Sequence, residues 1–437
     1  MNYPFLWDDF GQNGGFCMGD TLVVRGGQSL YGTVETPAAK NSVLPLLAAS
    51  LLCRQPVQLH ALPQLSDVAH AVTILQAVGA QTRQQGRTLT VQAQQLSGCL
   101  LPDEAVMQMR ASVLFLAPVL ARTGQAGAVL PGGCRLGPRP VDLHLAGLQA
   151  LGAQLRCEGD RLWLSAPQGL RGAGFTLRLP SVGATETMLL AAATAQGTTV
   201  LRGAACEPEI TDLAAFLNAC GARITGAGTP EICIRGVPQL GGASFTPLPD
   251  RIVAATLACA VASAGGQAVI RRCVPQHLAP VLQVLRQAGC RVLQTGPQEL
   301  TVERIGPLQG VGTVRTGAYP AFPTDAAPLV AAALLWAGGE SRVEETIFAR
   351  RFACAEGFAA MGARTRLDGG TLVLSPGGCR QGARVTAPDL RGGAALAVAA
   401  LAVPAPVRVQ NASVLARGYE DLPALLRQLG ARADLLC

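Results

Sequence analysis

Six times along the chain an amphipathic run ends in glycine, usually with alanine and a polar residue behind it: "LQAVGAQ" (Gly79), "LQALGAQ" (Gly152), "LNACGAR" (Gly221), "RQAGCRV" (Gly289), "AAMGART" (Gly362) and "RQLGARA" (Gly430). A period of roughly 70 residues marks a repeated supersecondary unit that cannot bury its apolar face alone. Each run has helical spacing, and the glycine supplies the left-handed residue that stops the helix. In five of the six, a strand, a turn and a second strand follow, as in "QLRCEGDRLWLSA" and "RTRLDGGTLVLS". Each unit also holds a helix that is apolar all round: "NSVLPLLAASLL", "ASVLFLAPVLA", "ATETMLLAAATA", "IVAATLACAVASA", "AAPLVAAALLWA" and "GGAALAVAALAV". Such a helix has no solvent face, so it must be buried. The expected class is α/β, with three units per domain, buried helices inside sheets, and two domains facing each other.

Composition supports a large aliphatic core and excludes several functions. Of 437 residues, 49% are hydrophobic, 14% charged and 4% aromatic. No run reaches the ~18 to 20 uncharged apolar residues of a membrane span, since Gly392 to Val407 is broken by Pro404 and Pro406. The opening "MNYPFLWDDFGQNGG" is acidic and polar where a signal peptide is apolar, so a cytosolic protein is expected. Fourteen cysteines without a C-x-x-C pair read as reduced thiols, not as a disulfide or zinc framework. The net charge of +7 is spread without a dense basic run, which speaks against nucleic acid and suits a small anionic substrate. The oligomeric state stays open, and a monomer is compatible with the sequence.

Among 35 basic residues there is one lysine, Lys40, in "TPAAKN". A drift towards arginine would have replaced it unless the position needs a compact, titratable ammonium. Other polar residues open the buried helices: Asn41 beside Lys40, Arg110, Thr185 with Glu186, Asp250 with Arg251, Asp325, and Asp389 with Arg391. Helix N-termini attract anions, so a cleft where these ends converge would trap one. For Thr185 a helix-capping role is expected.

The motifs "ETPAAKN", "MRAS", "LPGGCRLGPRPVDLH", "PSVGATET", "EPEI", "PDRI", "FPTD", "ETIF", "DLR" and "RGYE", in this order, resemble those of UDP-N-acetylglucosamine 1-carboxyvinyltransferases. The resemblance runs from Met18 to the C-terminus. The related shikimate-pathway enolpyruvyl transferases share the six-unit fold but lack the cysteine-bearing loop. The resemblance implies an inside-out α/β barrel and transfer of the enolpyruvyl group of phosphoenolpyruvate to the 3-hydroxyl of UDP-N-acetylglucosamine, with release of phosphate. No cofactor or metal is implied, phosphoenolpyruvate being a co-substrate. The expected division is residues 18–40 with 249–437 as domain I, and residues 41–248 as domain II. Residues 1–17 match no repeat and are expected to be disordered or a misassigned start.

By the same resemblance Cys134 is the proton donor and forms the covalent adduct, and Asp325 is the general base. Lys40, Asn41, Arg139, Arg391 and Arg417 bind phosphoenolpyruvate, Lys40 and Arg417 also counting as catalytic. The UDP-N-acetylglucosamine site comprises Arg110, Arg139, Pro140, Val141, Asp142, Leu143, Leu179, Pro180, Ser181, Val182, Gly183, Asp325 and Ile347. Glu207, Asp250 and Asp389 match polar cleft positions, each with a structural hydrogen bond as an equal reading. His144 is a ligand neighbour or a structural residue. "PGGCR" recurs at Cys379, where a turn after the strand "GTLVLS" is expected. Departures are Ala349, Ala353 and Cys354 in "ETIFARRFAC", where the family carries an acidic residue, and Leu179–Pro180 where a basic residue often stands. Arg351 keeps the family's arginine. A paralogue that binds UDP-sugar and regulates without turnover is the other reading left open.

Overall fold

The computed structural model describes residues 20–129 and 141–436. The expectations for residues 1–17, Cys134, Arg139 and Pro140 lie outside the described residues. All six repeat glycines have φ between 85° and 103°, where a side chain would strain the backbone. Each ends an amphipathic helix, and the strands that follow build six sheets, five of four strands and one of three. In the sheet containing Gln125–Val129 the fourth strand is reduced to a single parallel bridge from Leu100 to Gly127. The sheet of the last unit takes Arg432–Leu436 at one edge and the strand Thr21–Arg25, far away in sequence, beside it.

The apolar helices lie inside these sheets. Arg251–Ala264, Ala327–Leu334 and Leu390–Ala400 pack together in one domain. Lys40–Ser50, Arg110–Thr123 and Val182–Ala192 pack together in the other. Two separate cores result, one from Leu22–Val34 with Ile252–Ala433, the other from Ala38 to Leu240. This is an inside-out α/β barrel in each half. Alanine on the helices lets their axes come close, and Ser263 spends its hydroxyl on the Val398 carbonyl, 2.8 Å away, where two of them touch. Truncating a core leucine such as Leu46, fully buried, would cost about 2–5 kcal/mol.

Three local expectations are corrected. The second apolar run is not one α-helix, because Arg110–Phe115 winds as 3-10 before Leu116–Thr123. Pro118 has no N–H for the carbonyl four residues back, so the turn ahead tightens. The same happens at Thr324–Ala326 ahead of Pro328, although Pro45 is accommodated within the first helix. Thr185 is not a cap: Ser181 is, accepting from the Ala184 amide at 3.4 Å, while the Thr185 hydroxyl accepts from the Ala205 amide at 3.0 Å. Among the described residues no helix is long and apolar enough to cross a membrane.

Candidate active site

The chain passes between the two cores twice, and the two crossings run side by side. Ala38 pairs with Pro249, the Ala39 amide donates to the Leu248 carbonyl, and the Asp250 amide donates to the Pro37 carbonyl. Two central helices thus start at the same place, one with Lys40 and one with Asp250–Arg251. Asp250 caps its own helix through the amides of Ile252 and Val253, and its other oxygen reaches the Lys40 amide at 3.3 Å.

Here the structure supplies a residue that the sequence reading missed. Asp67, 2% exposed, lies 2.5 Å from the Lys40 ammonium and receives the Arg417 guanidinium at 3.0 and 3.4 Å. One carboxylate thereby fixes a cation from each domain. Burial raises the Asp67 carboxyl, but Lys40 and Arg417 outweigh it and hold it below its usual range. Burial is also the largest influence on Lys40 and pulls it below an ordinary lysine. Asp67 opposes that shift, while Arg417 and Arg391 add to it. Nothing in "LSDVAH" marks this acid, since an aspartate in the first turn of an amphipathic helix reads as a solvated helix start.

Asp325 sits between two buried arginines. Arg351 reaches one oxygen at 3.0 Å and Arg391 the other at 3.2 Å, and Arg351 also donates to the Thr324 hydroxyl at 3.0 Å. Arg351 and Arg391 are 1% and 5% exposed, yet one guanidinium nitrogen of each has no hydrogen-bond partner among the described residues. Buried N–H groups in that state are expensive, and an anionic ligand would satisfy them. Asp389 only caps the helix that carries Arg391, through the Arg391 and Gly392 amides. Glu345 links the rim to this centre: it accepts from the Thr324 hydroxyl and from the Ile347 and Phe348 amides. Ile347 is thus held near Asp325 with its side chain half exposed.

The remaining expected sugar-site residues gather in the second domain. Asp142 pairs with Arg178, which places Val141–Leu143 beside Leu179–Gly183. His144 meets the Thr187 hydroxyl at 2.8 Å, and a Cβ on Gly183 would stand 2.7 Å from the imidazole. His144 thus lies against the helix Val182–Ala192, and Gly183 has no room for a side chain because the ring lies against it. Burial, with help from Arg110, lowers the His144 pKa to about 4, so the ring is neutral. Leu179 and Ile347 are large apolar side chains left exposed, one on each domain. Glu207 accepts from the Tyr319 amide across the domains at 3.4 Å, and Glu209 binds Arg251 at 2.9 and 3.3 Å. Asn41 follows Lys40 half-buried on the same helix. The expected turn after "GTLVLS" is instead a continuation of the strand Thr371–Gly378 through Pro376–Gly378, with Gly378 paired to Ala363; Cys379 follows it, exposed, with its carbonyl against Gly362.

Six such units with charged helix ends between two domains define a carboxyvinyltransferase fold. A family model described as EPSP synthase (3-phosphoshikimate 1-carboxyvinyltransferase) matches residues 24–426. The solved enolpyruvyl transferase NikO from Streptomyces tendae superposes with a TM-score of 0.85 at 28% identity, covering 95% of this chain and 99% of that one. EPSP synthase from Acinetobacter baumannii shares the fold at a TM-score of 0.70 and 17% identity, covering 95% and 99%. UDP-N-acetylglucosamine 1-carboxyvinyltransferase 2 of Caldanaerobacter subterraneus subsp. tengcongensis is 41% identical over 415 residues, 93% of this chain and 97% of the relative. The chain belongs to the UDP-N-acetylglucosamine 1-carboxyvinyltransferase family.

Proposed function

We propose that the protein transfers the enolpyruvyl group of phosphoenolpyruvate to the 3-hydroxyl of UDP-N-acetylglucosamine, releasing phosphate, the first committed step of peptidoglycan precursor synthesis, in the cytoplasm. The observation that carries this reading is the junction of Lys40, Asp67 and Arg417 beside Arg391, Asp325 and Arg351. It offers fixed cations for a phosphate and a carboxylate, and one carboxylate for a hydroxyl. Addition and elimination need only these and a proton donor. The Cys134 thiol gives its proton to C3, the sugar hydroxyl attacks C2 as Asp325 takes its proton, and phosphate leaves as C3 returns a proton to the Cys134 thiolate and the C2–C3 double bond reforms. Lys40, Arg139 and Arg417 hold phosphoenolpyruvate. Arg110, Val141–Leu143 and Leu179–Gly183 hold the nucleotide sugar, with Leu179 and Ile347 packing on it from opposite domains.

Incubation with both substrates should release phosphate. Release from phosphoenolpyruvate with shikimate 3-phosphate in place of the sugar nucleotide would overturn the assignment. An epoxide-bearing phosphonate that mimics phosphoenolpyruvate should alkylate Cys134 and spare Cys379, as peptide mass mapping will read. The alkaline limb of activity is expected to follow Lys40. Only the ammonium attracts phosphate, and its lowered pKa means the charge is lost at lower pH than for a free lysine. Asp67→Asn removes the carboxylate that raises Lys40, so kcat/KM for phosphoenolpyruvate should begin to fall at a still lower pH. A limb that stays in place in that variant would exclude Lys40 as the titrating group.

A further inference from the structure

Beside Arg417 the two domains are tied twice. Asp67 takes the Nε and one terminal nitrogen of Arg417 at 3.0 and 3.4 Å. Further along, Arg87 gives its two terminal nitrogens to the two Glu420 oxygens, at 2.9 and 2.6 Å. Both ties join the same two segments. Arg87 stands in the turn between the strands Gln81–Gln85 and Thr88–Gln92. Its carbonyl accepts from the Leu62 amide at 2.9 Å, which fixes the stretch leading into the helix Ser66–Ala77 and so to Asp67. Glu420 comes three residues after Arg417, on a turn with little freedom. The Gly418 and Tyr419 amides both donate to the Leu415 carbonyl, and the buried Tyr419 hydroxyl meets that of Thr256 at 2.8 Å. Asp421 then caps the next helix through the Ala424 amide. A hold on Glu420 is therefore passed to Arg417.

We propose that Arg87 and Glu420 are a positioning pair for Arg417, holding its turn against the second domain while the substrate anion competes with Asp67 for the Arg417 guanidinium. The inference rests on the role given to Arg417 above. An anion bound by Arg417 draws on the same cation that Asp67 holds, so the inner tie weakens when the ligand arrives. The outer tie has no ligand to serve and keeps its full strength. That strength comes from geometry. An isolated surface ion pair adds little, but a planar fork that meets both carboxylate oxygens fixes direction as well as distance. Arg87 is half exposed, yet the Glu420 side chain is only 20% exposed, which shields the acceptor from water and salt. Without the pair, the turn stands ready for the ligand in a smaller fraction of molecules. The apparent affinity then falls by that fraction, while the complex once formed reacts as before.

Steady-state kinetics on Arg87→Ala, Glu420→Gln and the double variant test this, with phosphate release from phosphoenolpyruvate and UDP-N-acetylglucosamine as the readout. Each single change should raise the KM for phosphoenolpyruvate about fivefold and leave kcat within about twofold of wild type. The double variant should be no worse than either single one, because each alone already breaks the pair. Arg87→Lys should recover only part of the loss, since an ammonium cannot form the fork. Hydrogen exchange on the ligand-free proteins judges the pair without turnover. Amides of residues 412–421 should exchange about threefold faster in each single variant, with those of Arg251–Ala264 as in wild type. An unchanged KM in the single variants, effects that multiply in the double variant, a loss confined to kcat, unchanged exchange, or faster exchange throughout the molecule would each overturn the proposal. A wild-type protein that releases no phosphate would instead strike the reaction proposed above, and the exchange measurement would still decide the pair.

Discussion

Replacing Lys40 with arginine is expected to lower kcat/KM for phosphoenolpyruvate by about a hundredfold, although the charge is kept. Lys40 fits as a compact ammonium at 2.5 Å from Asp67, with its side chain mostly buried. That carboxylate already holds both donors of the Arg417 fork. A second planar fork at position 40 would compete for the same two oxygens, displacing Arg417 or turning its own cation away from the ligand. Either shift misplaces the cations by the order of an ångström, and with them the reacting carbon. The loss should appear in kcat and in the KM for phosphoenolpyruvate. Binding of UDP-N-acetylglucosamine alone, measured by calorimetry, should stay within a few-fold of wild type. A variant within about threefold in both kinetic constants would remove the reason for a lone lysine among 34 arginines.

The legibility of the fold and of the site differ for a physical reason. Gly79 and its five counterparts could be read because a left-handed helix end demands glycine whatever surrounds it. The apolar helices could be read because a sequence without a polar face has only one place to go. These are local constraints. Asp67 depends on Arg417, which is 350 positions away and on the other domain, and no local pattern encodes that meeting. Arg251 is the same case: it reads as a helix opener, but it binds Glu209 on the other domain. Thr185 shows the converse error. Its residue type suits a cap, yet Ser181 stands one turn earlier and takes that role, which leaves Thr185 to close the Ala205 amide. His144 admits two readings in the sequence, and its packing against Gly183 and Thr187 comes from the fold, not from any local pattern.

Asp325→Asn is expected to lower kcat by a factor of about 10² to 10⁴, with little change in the KM for either substrate. An amide is nearly the size of a carboxylate, so the local packing survives. It also still offers one oxygen to an arginine. What it cannot do is take a proton from the sugar hydroxyl. The geometry makes the test a demanding one, because Asp325 also anchors two buried guanidiniums, Arg351 at 3.0 Å and Arg391 at 3.2 Å. If anchoring were its whole task, the variant would loosen both arginines, raise the KM for the anionic substrate and lower the melting temperature. The same variant would then lose kcat only modestly. Removing the anchor by another route separates the two roles. Thr324→Val deletes the hydroxyl that Arg351 and Glu345 share and leaves Asp325 in place. It should raise KM several-fold while keeping most of kcat. Steady-state kinetics on the two variants, each compared with its own melting temperature, will divide base from anchor. An Asp325→Asn enzyme whose defect lies in KM and stability, with kcat within about tenfold of wild type, would assign the carboxylate to holding the arginines and leave the proton to another group.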